Sequence, residues 1–337
     1  MVVIYHMVHA ETVHGGGAAL LAGPAHFGYA GVDVFFVISG FIMATVTTGH
    51  FGSPAGALDF LCRRAIRIFP LYWLCTFAII ALMAIRPDAL SSSFHDSGLI
   101  RSLLLVPQEG GPLLVVGWTL TYELFFYAMT AFALAVGSAA RVWAMVLGWA
   151  AVLLLLQAVP TQSPWANLLT SPLSLEFMAG ALAGLYWRKL PDLLAWPAVA
   201  SGIAWMVAAG FLLAEFPNYG QSHGTRVVAF GLPATLLIIG LARMEAEGRV
   251  RPKGLLVRLG NASYSLYLTH LFVLSLFGRM WSASGQTGTT VGNAAFLVTT
   301  LLACCALALV VHQLIEIPLM NRANRAWRSL RRTIPLA

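Results

Sequence analysis

His6 and His9 interrupt an otherwise apolar opening segment, three residues apart and therefore on one face of a helix formed there. A neutral imidazole, with a reference pKa of about 6.5, takes and returns a proton near neutral pH, which suits a base in acyl transfer. The same spacing serves equally well an interfacial pair hydrogen-bonded to backbone or headgroups. No metal is expected, because no nearby sequence supplies a third ligand at helical spacing. Arg63, Arg64 and Arg67 open an apolar run that continues as Ile68-Phe69-Pro70-Leu71-Tyr72-Trp73. Arg64 and Arg67, three apart, would present two guanidinium forks on one face beside the N–H groups of a helix start, a geometry able to hold phosphates. Arginines at an inner membrane boundary are also the commonest determinant of topology, and on the residues alone that reading is favoured.

Other ionisable side chains stand inside apolar runs, where each costs about 2.5 to 3.5 kcal/mol on insertion scales and so needs a partner or a purpose. They are Asp33, Glu123, Glu176, His270, and His312 with Glu316. Glu123 is the one charge in Gly117-Trp118-Thr119-Leu120-Thr121-Tyr122-Glu123-Leu124-Phe125-Phe126-Tyr127. It could pair with an arginine, orient a histidine, or sit protonated in an apolar pocket. Glu176 is alone in Leu175-Glu176-Phe177-Met178-Ala179-Gly180, and for both residues a helix-to-helix hydrogen bond is the rival reading. His270 closes Ser263-Tyr264-Ser265-Leu266-Tyr267-Leu268-Thr269-His270, a run of hydroxyls suited to packing or to a hydrophilic cavity. His312 and Glu316 are four apart and can satisfy each other.

The elements that position these groups must be membrane helices. Of 337 residues, 59% are apolar and 10% charged, against about 25% charged in a soluble domain. With a mean hydropathy of +0.79, this excludes secreted, disordered and solenoid classes and predicts an all-α polytopic membrane protein. Apolar stretches near 1–22, 28–47, 66–85, 113–136, 142–160, 168–187, 193–214, 226–242, 258–277 and 293–315 predict about ten transmembrane helices. With the N-terminus inside, only Arg86, Arg101, Arg226 and Arg279 of the 20 Lys and Arg fall outside, so both termini are expected in the cytoplasm. The net charge of +7 is spread over short loops that would face anionic lipid, and nucleic acid is not an expected partner. Cys62, Cys75, Cys304 and Cys305 lack metal or disulfide spacing and read as small core residues.

Two connections exceed a turn: Arg86 to Pro112 outside and Arg243 to Lys253 inside. The first holds Ser91 to Ser93, His95 and Asp96 and predicts an interfacial helix over Leu99 to Val106, either as an outer lid or as a solvated loop. The first apolar stretch is cut short by Glu11, His14 and Gly15 to Gly17, which predicts that part of the natural first helix precedes Met1. No signal-peptide arrangement is expected. The organisation expected is one transmembrane domain over 1–320 and a basic cytoplasmic tail over 321–337.

Taken together, these segments resemble acyltransferase family 3, integral membrane enzymes, and among them most closely the branch that acetylates bacterial exopolysaccharides such as rhizobial succinoglycan. The likeness rests on Tyr5-His6, on Gly31-Val32-Asp33-Val34-Phe35-Phe36-Val37-Ile38-Ser39-Gly40-Phe41-Ile42-Met43, and on Arg63-Arg64-Ala65-Ile66-Arg67-Ile68-Phe69-Pro70-Leu71-Tyr72-Trp73. Trp118 to Tyr127, Glu176 to Gly180, Ser263 to His270 and Glu316-Ile317-Pro318 extend it in family order across nearly the whole chain. The resemblance implies about ten helices in a bacterial inner membrane, an acyl-coenzyme A donor from the cytoplasm, acetyl by default, and a sugar hydroxyl as acceptor. It matches the family's catalytic histidine to His6 and its donor-binding arginine pair to Arg64 and Arg67, with Arg63 beside them. An arginine usual about eleven positions before that histidine would lie before Met1.

On this reading His6 deprotonates the acceptor hydroxyl or, alternatively, carries the acyl group itself, while Asp33 and Glu123 orient His6 or the arginines. His270, Tyr267 and Trp118 are the expected acceptor-binding residues. Expected partners are the bilayer, acyl-coenzyme A and a carbohydrate, with a homo-oligomer allowed. The competing class is a transporter or flippase of lipid-linked sugars; such proteins often carry broken helices in pairs and an internal repeat, and neither is legible here.

Overall fold

Inside a bilayer every backbone N–H and C=O must be satisfied within the protein, and this chain meets the requirement with helices. The computed structural model describes residues 1–16, 20–21, 23–47, 52–85, 98–137, 139–156, 163–214, 222–285 and 287–333, and among them there is no strand. The order is α1 (Val2–His14), a 3₁₀ segment (Gly23–Ala30), α2 (Gly31–Thr47), α3 (Pro54–Ile85), the short α4 (Leu99–Leu103), α5 (Trp118–Val136) and α6 (Ala139–Leu156). There follow α7 (Pro164–Leu169), α8 (Leu173–Tyr186), α9 (Asp192–Ala214) and α10 (His223–Ala246, with a π turn at Val227–Gly231). The chain ends with α11 (Leu255–Asn261), α12 (Ser263–Ala283), α13 (Thr290–Val311), a π turn (His312–Glu316) and α14 (Ile317–Thr333).

Seven helices among the described residues are long and apolar enough to cross a membrane, which makes the protein a polytopic membrane protein. They include Ala25–Thr47, Pro54–Ile85, Val115–Val136, Pro164–Lys189 and Thr290–Arg332. The expected first span falls short: α1 has 13 residues, about 20 Å of helix against a hydrocarbon thickness of about 30 Å. Helix α12 is 21 residues long, but Ser263, Ser265, Thr269 and His270 lower its hydropathy. One boundary needs correcting. The third span was expected to start at 66, yet α3 begins at Pro54, twelve residues earlier, because Ala55 to Leu61 continue the helical pattern ahead of the arginines. The stretch Arg86 to Ser97, with Ser91 to Ser93, His95 and Asp96, lies outside the described residues; the helix expected beyond it is α4.

The chain divides into two compact units, one of Met1–Phe35 with Pro191–Glu316, the other of Phe36–Leu190 with Ile317–Ala337. In the first, Val3, Met7 and Ala10 of α1 pack with Val273 and Leu274 of α12 and with Phe296, Leu297 and Cys304 of α13. Helices α9 and α10 approach through glycines: a Cβ on Gly202 would lie 2.7 Å from the Pro233 carbonyl oxygen, and one on Gly240 2.7 Å from that of Ala195. In the second unit the approach of α2 and α8 is tighter. A Cβ on Gly40 would stand 2.0 Å from the Phe177 carbonyl oxygen, and one on Gly180 2.0 Å from that of Val37, so each position admits only glycine. Small residues are the means by which helices in lipid gain close van der Waals contact, since no hydrophobic force drives them together there. Cys75 and Cys304 are buried and Cys62 and Cys305 partly so; all four are thiols, as expected of small packing residues.

Candidate functional site

In the first unit α1 and α12 bring His6 and His270 together, 264 residues apart in sequence, with His6 Nδ1 3.1 Å from His270 Nε2. Their ring centroids are 5.0 Å apart. His6 Nδ1 also lies 3.0 Å from the Val2 carbonyl oxygen, one turn back on α1. His270 is fully buried, and its Nδ1 stands 2.7 Å from the Tyr267 carbonyl oxygen and 3.1 Å from that of Leu266. His6 is half-buried, whereas His9 is exposed, so the pair that forms joins two helices instead of lying along one. The Tyr5 ring meets His6 edge-on at 5.1 Å and Tyr29 edge-on at 5.8 Å.

Tyr29 leads to a buried ion pair. The Arg226 guanidinium lies over the Tyr29 ring, 5.0 Å from its centroid, and donates through Nε to Asp33 Oδ1 at 3.0 Å and through Nη2 to Oδ2 at 2.8 Å. Asp33 is thus gripped at both oxygens by Arg226, a residue that its place at the start of an apolar run marked only as an outer-loop arginine. Such a fork-to-fork pair is held by charge and geometry together. Two further buried carboxylates in this unit are satisfied locally. Glu11 accepts from the backbone N–H of Leu21 at 2.9 Å and from that of Leu20, and from the Asn293 side chain. Glu316 accepts from Ser265 at 2.6 Å and meets His312 Nδ1 at 2.8 Å, the i, i+4 pairing that the sequence predicts.

In the second unit Glu123 is buried on α5 and accepts from the Tyr127 hydroxyl one turn on, with the Ser39 hydroxyl of α2 as a second donor. Arg64 and Arg67 of α3 both bear electrostatically on this carboxylate. Arg64 sits between the rings of Phe60 and Tyr127, 5.3 and 5.6 Å from their centroids, and Arg67 donates to the Met320 sulfur at 3.6 Å. Arg63 points elsewhere: it is held by Asp59 at 2.8 Å, which also accepts from Trp327 at 2.9 Å and pairs with Arg331 at 3.1 Å. The helix-start N–H groups expected beside the arginines are not there, because ten residues of α3 precede Arg64 and those groups bond within the helix. The guanidinium groups themselves are left as the means of holding an anion. Glu176 is fully buried on α8, in the turn before Gly180.

The same unit has a cleft of about 510 Å³ whose wall includes Trp118, Thr121, Tyr122, Glu109 and Asn167. Its rim is fixed by hydrogen bonds. Tyr72 and Trp73 donate to the carbonyls of Ser102 and Leu103 at 2.6 and 2.8 Å, and the Gln108 amide donates to Ser102 Oγ and to the Gly111 carbonyl at 2.9 and 2.8 Å. Trp118 stands edge-on to Tyr122 at 5.8 Å. Aromatic faces among amide and hydroxyl groups suit a ligand with both C–H and O–H surfaces.

A family model described as an acyltransferase domain matches residues 1–310. The chain belongs to acyltransferase family 3. It is similar to the exopolysaccharide production protein ExoZ of Rhizobium meliloti (strain 1021), 34% identical over 89% of this chain and 92% of that protein. It is also similar to the acyltransferase MdmB of Streptomyces mycarofaciens, 27% identical over 87% of this chain and 81% of that protein. A third relative is the putative peptidoglycan O-acetyltransferase YrhL of Bacillus subtilis (strain 168), 25% identical over 90% of this chain and 52% of that protein. No solved structure matches the chain significantly. This member of the family is a membrane acyltransferase, with His6 and Arg64 and Arg67 in chemically distinct surroundings: neutral rings and carbonyls around the first, aromatic faces and one carboxylate around the others.

Proposed function

We propose that the protein transfers an acetyl group from cytoplasmic acetyl-coenzyme A to a sugar hydroxyl of an exopolysaccharide or of its lipid-linked precursor, in a bacterial inner membrane. The observation that carries this reading is His6 itself: a half-buried imidazole with Nδ1 occupied by hydrogen bonds, within a chain that shares its family with acyl-transfer enzymes. The similarity to ExoZ supports a polysaccharide as acceptor. Arg64 and Arg67 supply the guanidinium groups that suit the phosphates of coenzyme A, and the cleft at Trp118 has the mixed lining that suits a saccharide.

His6 takes the proton of the acceptor hydroxyl as its oxygen attacks the thioester carbonyl. That attack forms the ester C–O bond and a tetrahedral oxyanion, whose collapse restores the carbonyl and breaks the C–S bond while the imidazolium gives its proton to the departing thiolate. The test is purified protein in nanodiscs with acetyl-labelled coenzyme A and polysaccharide from a strain lacking the gene. The expected result is label in the polysaccharide with release of one free thiol per acetyl group. Movement of a lipid-linked sugar across the bilayer with no thiol release would replace this reading with transport.

A further inference from the structure

The histidine pair determines more than proximity. His270 Nδ1 faces two carbonyl oxygens, those of Tyr267 at 2.7 Å and Leu266 at 3.1 Å. Carbonyl oxygens only accept, so Nδ1 of His270 carries the proton and, in the neutral ring, Nε2 is a bare lone pair. That lone pair points at His6 Nδ1 across 3.1 Å, and the Val2 carbonyl oxygen stands 3.0 Å from the same nitrogen. Two acceptors converge on His6 Nδ1, so this atom carries a proton, and the one lone pair left on the His6 ring is at Nε2.

We propose that His270, resting on the acyl-transfer reading above, is a positioning residue for His6: it accepts the Nδ1 proton, fixes the ring, and leaves Nε2 as the atom that takes the acceptor's proton. When His6 becomes an imidazolium, the Nδ1–H···Nε2 bond is already in place and becomes charge-assisted, so the cation forms without rearrangement. The order Tyr267 carbonyl, His270, His6 does with a second imidazole what a carboxylate does in a hydrolase triad, but keeps the resting pair neutral. This assigns His270 to the base and not to the acceptor sugar. The ring is fully buried, both its nitrogens are occupied, and Cys304 Sγ lies 4.0 Å from its backbone carbonyl.

The experiment combines histidine ¹⁵N NMR of the resting protein in lipid with kinetics of three variants. The expected spectra show protonated Nδ1 and bare Nε2 on both His6 and His270, with scalar coupling between His6 Nδ1 and His270 Nε2. His270→Leu should lower kcat about 100-fold, the scale of losing orientation at a reacting group, with the KM for acetyl-coenzyme A and for the acceptor unchanged. His270→Gln, whose amide oxygen falls near the place of Nε2, should restore most of kcat, and His270→Asn, whose amide falls near Nδ1, should not. The Gln and Asn pair is decisive even where the leucine variant does not fold. A proton on Nε2 of resting His6, equal rates for the Gln and Asn variants, or a raised acceptor KM with normal kcat would overturn the assignment. The spectra need no turnover, so the expected tautomers in a protein that transfers no acetyl group would overturn the activity alone.

Discussion

The two units handle buried charge in opposite ways. Around α1 and α12 each buried carboxylate among the described residues has partners close by: Asp33 has Arg226, Glu11 two backbone N–H groups and Asn293, Glu316 Ser265 and His312. What remains at His6 is a pair of rings held by carbonyls. Around α3 and α5 two guanidinium groups share the field of one carboxylate, Glu123, with aromatic faces beside Arg64 and the Met320 sulfur beside Arg67. The first environment suits a neutral base that takes and returns a proton; the second gathers positive charge, which is what the proposed donor's phosphates require. On the proposed reading the contrast separates the chemistry of transfer from the binding of the donor, and it can be attacked from either side.

The largest effect is expected from His6→Ala, which should lower transfer by about 10²- to 10⁴-fold, the range of a positioned general base, with the protein still folded by its melting profile in detergent. A folded variant with undiminished acetylation would remove His6 from the chemistry. Next comes Arg226→Met, which leaves Asp33 buried and uncompensated and should cost about 3 to 5 kcal/mol of stability. Asp33→Asn with Arg226→Met together should recover much of that loss, and thermal unfolding of both proteins checks it. Arg64→Gln and Arg67→Gln should each raise the KM for acetyl-coenzyme A about 10-fold or more, consistent with about 1.5 to 3 kcal/mol for a charged hydrogen bond, and leave kcat nearly intact. Acetyl-pantetheine, which lacks the nucleotide phosphates, should not feel either change. The smallest effect belongs to Trp118→Ala, which should raise the KM for the acceptor about 2- to 10-fold by loss of an aromatic face, with the donor KM unmoved.

How much of this was legible in the sequence depends on distance along the chain. Helices in lipid are written as runs of apolar residues, so the all-α membrane class and the positions of most long helices follow from hydropathy. The start of α3 is not legible because Asp59, Arg63, Arg64 and Arg67 break the apolar run, although the helix continues through them. His312 and Glu316 were readable as a pair because four residues on a helix fix a contact. Asp33 with Arg226, separated by 193 residues, and His6 with His270, separated by 264, were not, since only tertiary packing decides which helix faces which. Spacing left open whether His9 faces a cavity with His6 or the interface, and His9 is exposed. The motifs singled out ionisable residues in apolar runs; the partners of those residues are set by the fold.

The contact of Gly40 with the Phe177 carbonyl has a consequence for the neighbouring position. Ser39, one residue before it, donates to Glu123. Main chain resting on main chain acts as a mechanical stop that no rotamer change can relax. The depth of that hydroxyl against α8 is therefore gauged by backbone alone, and it should survive wholesale exchange of the lipid-facing side chains on α2 and α8.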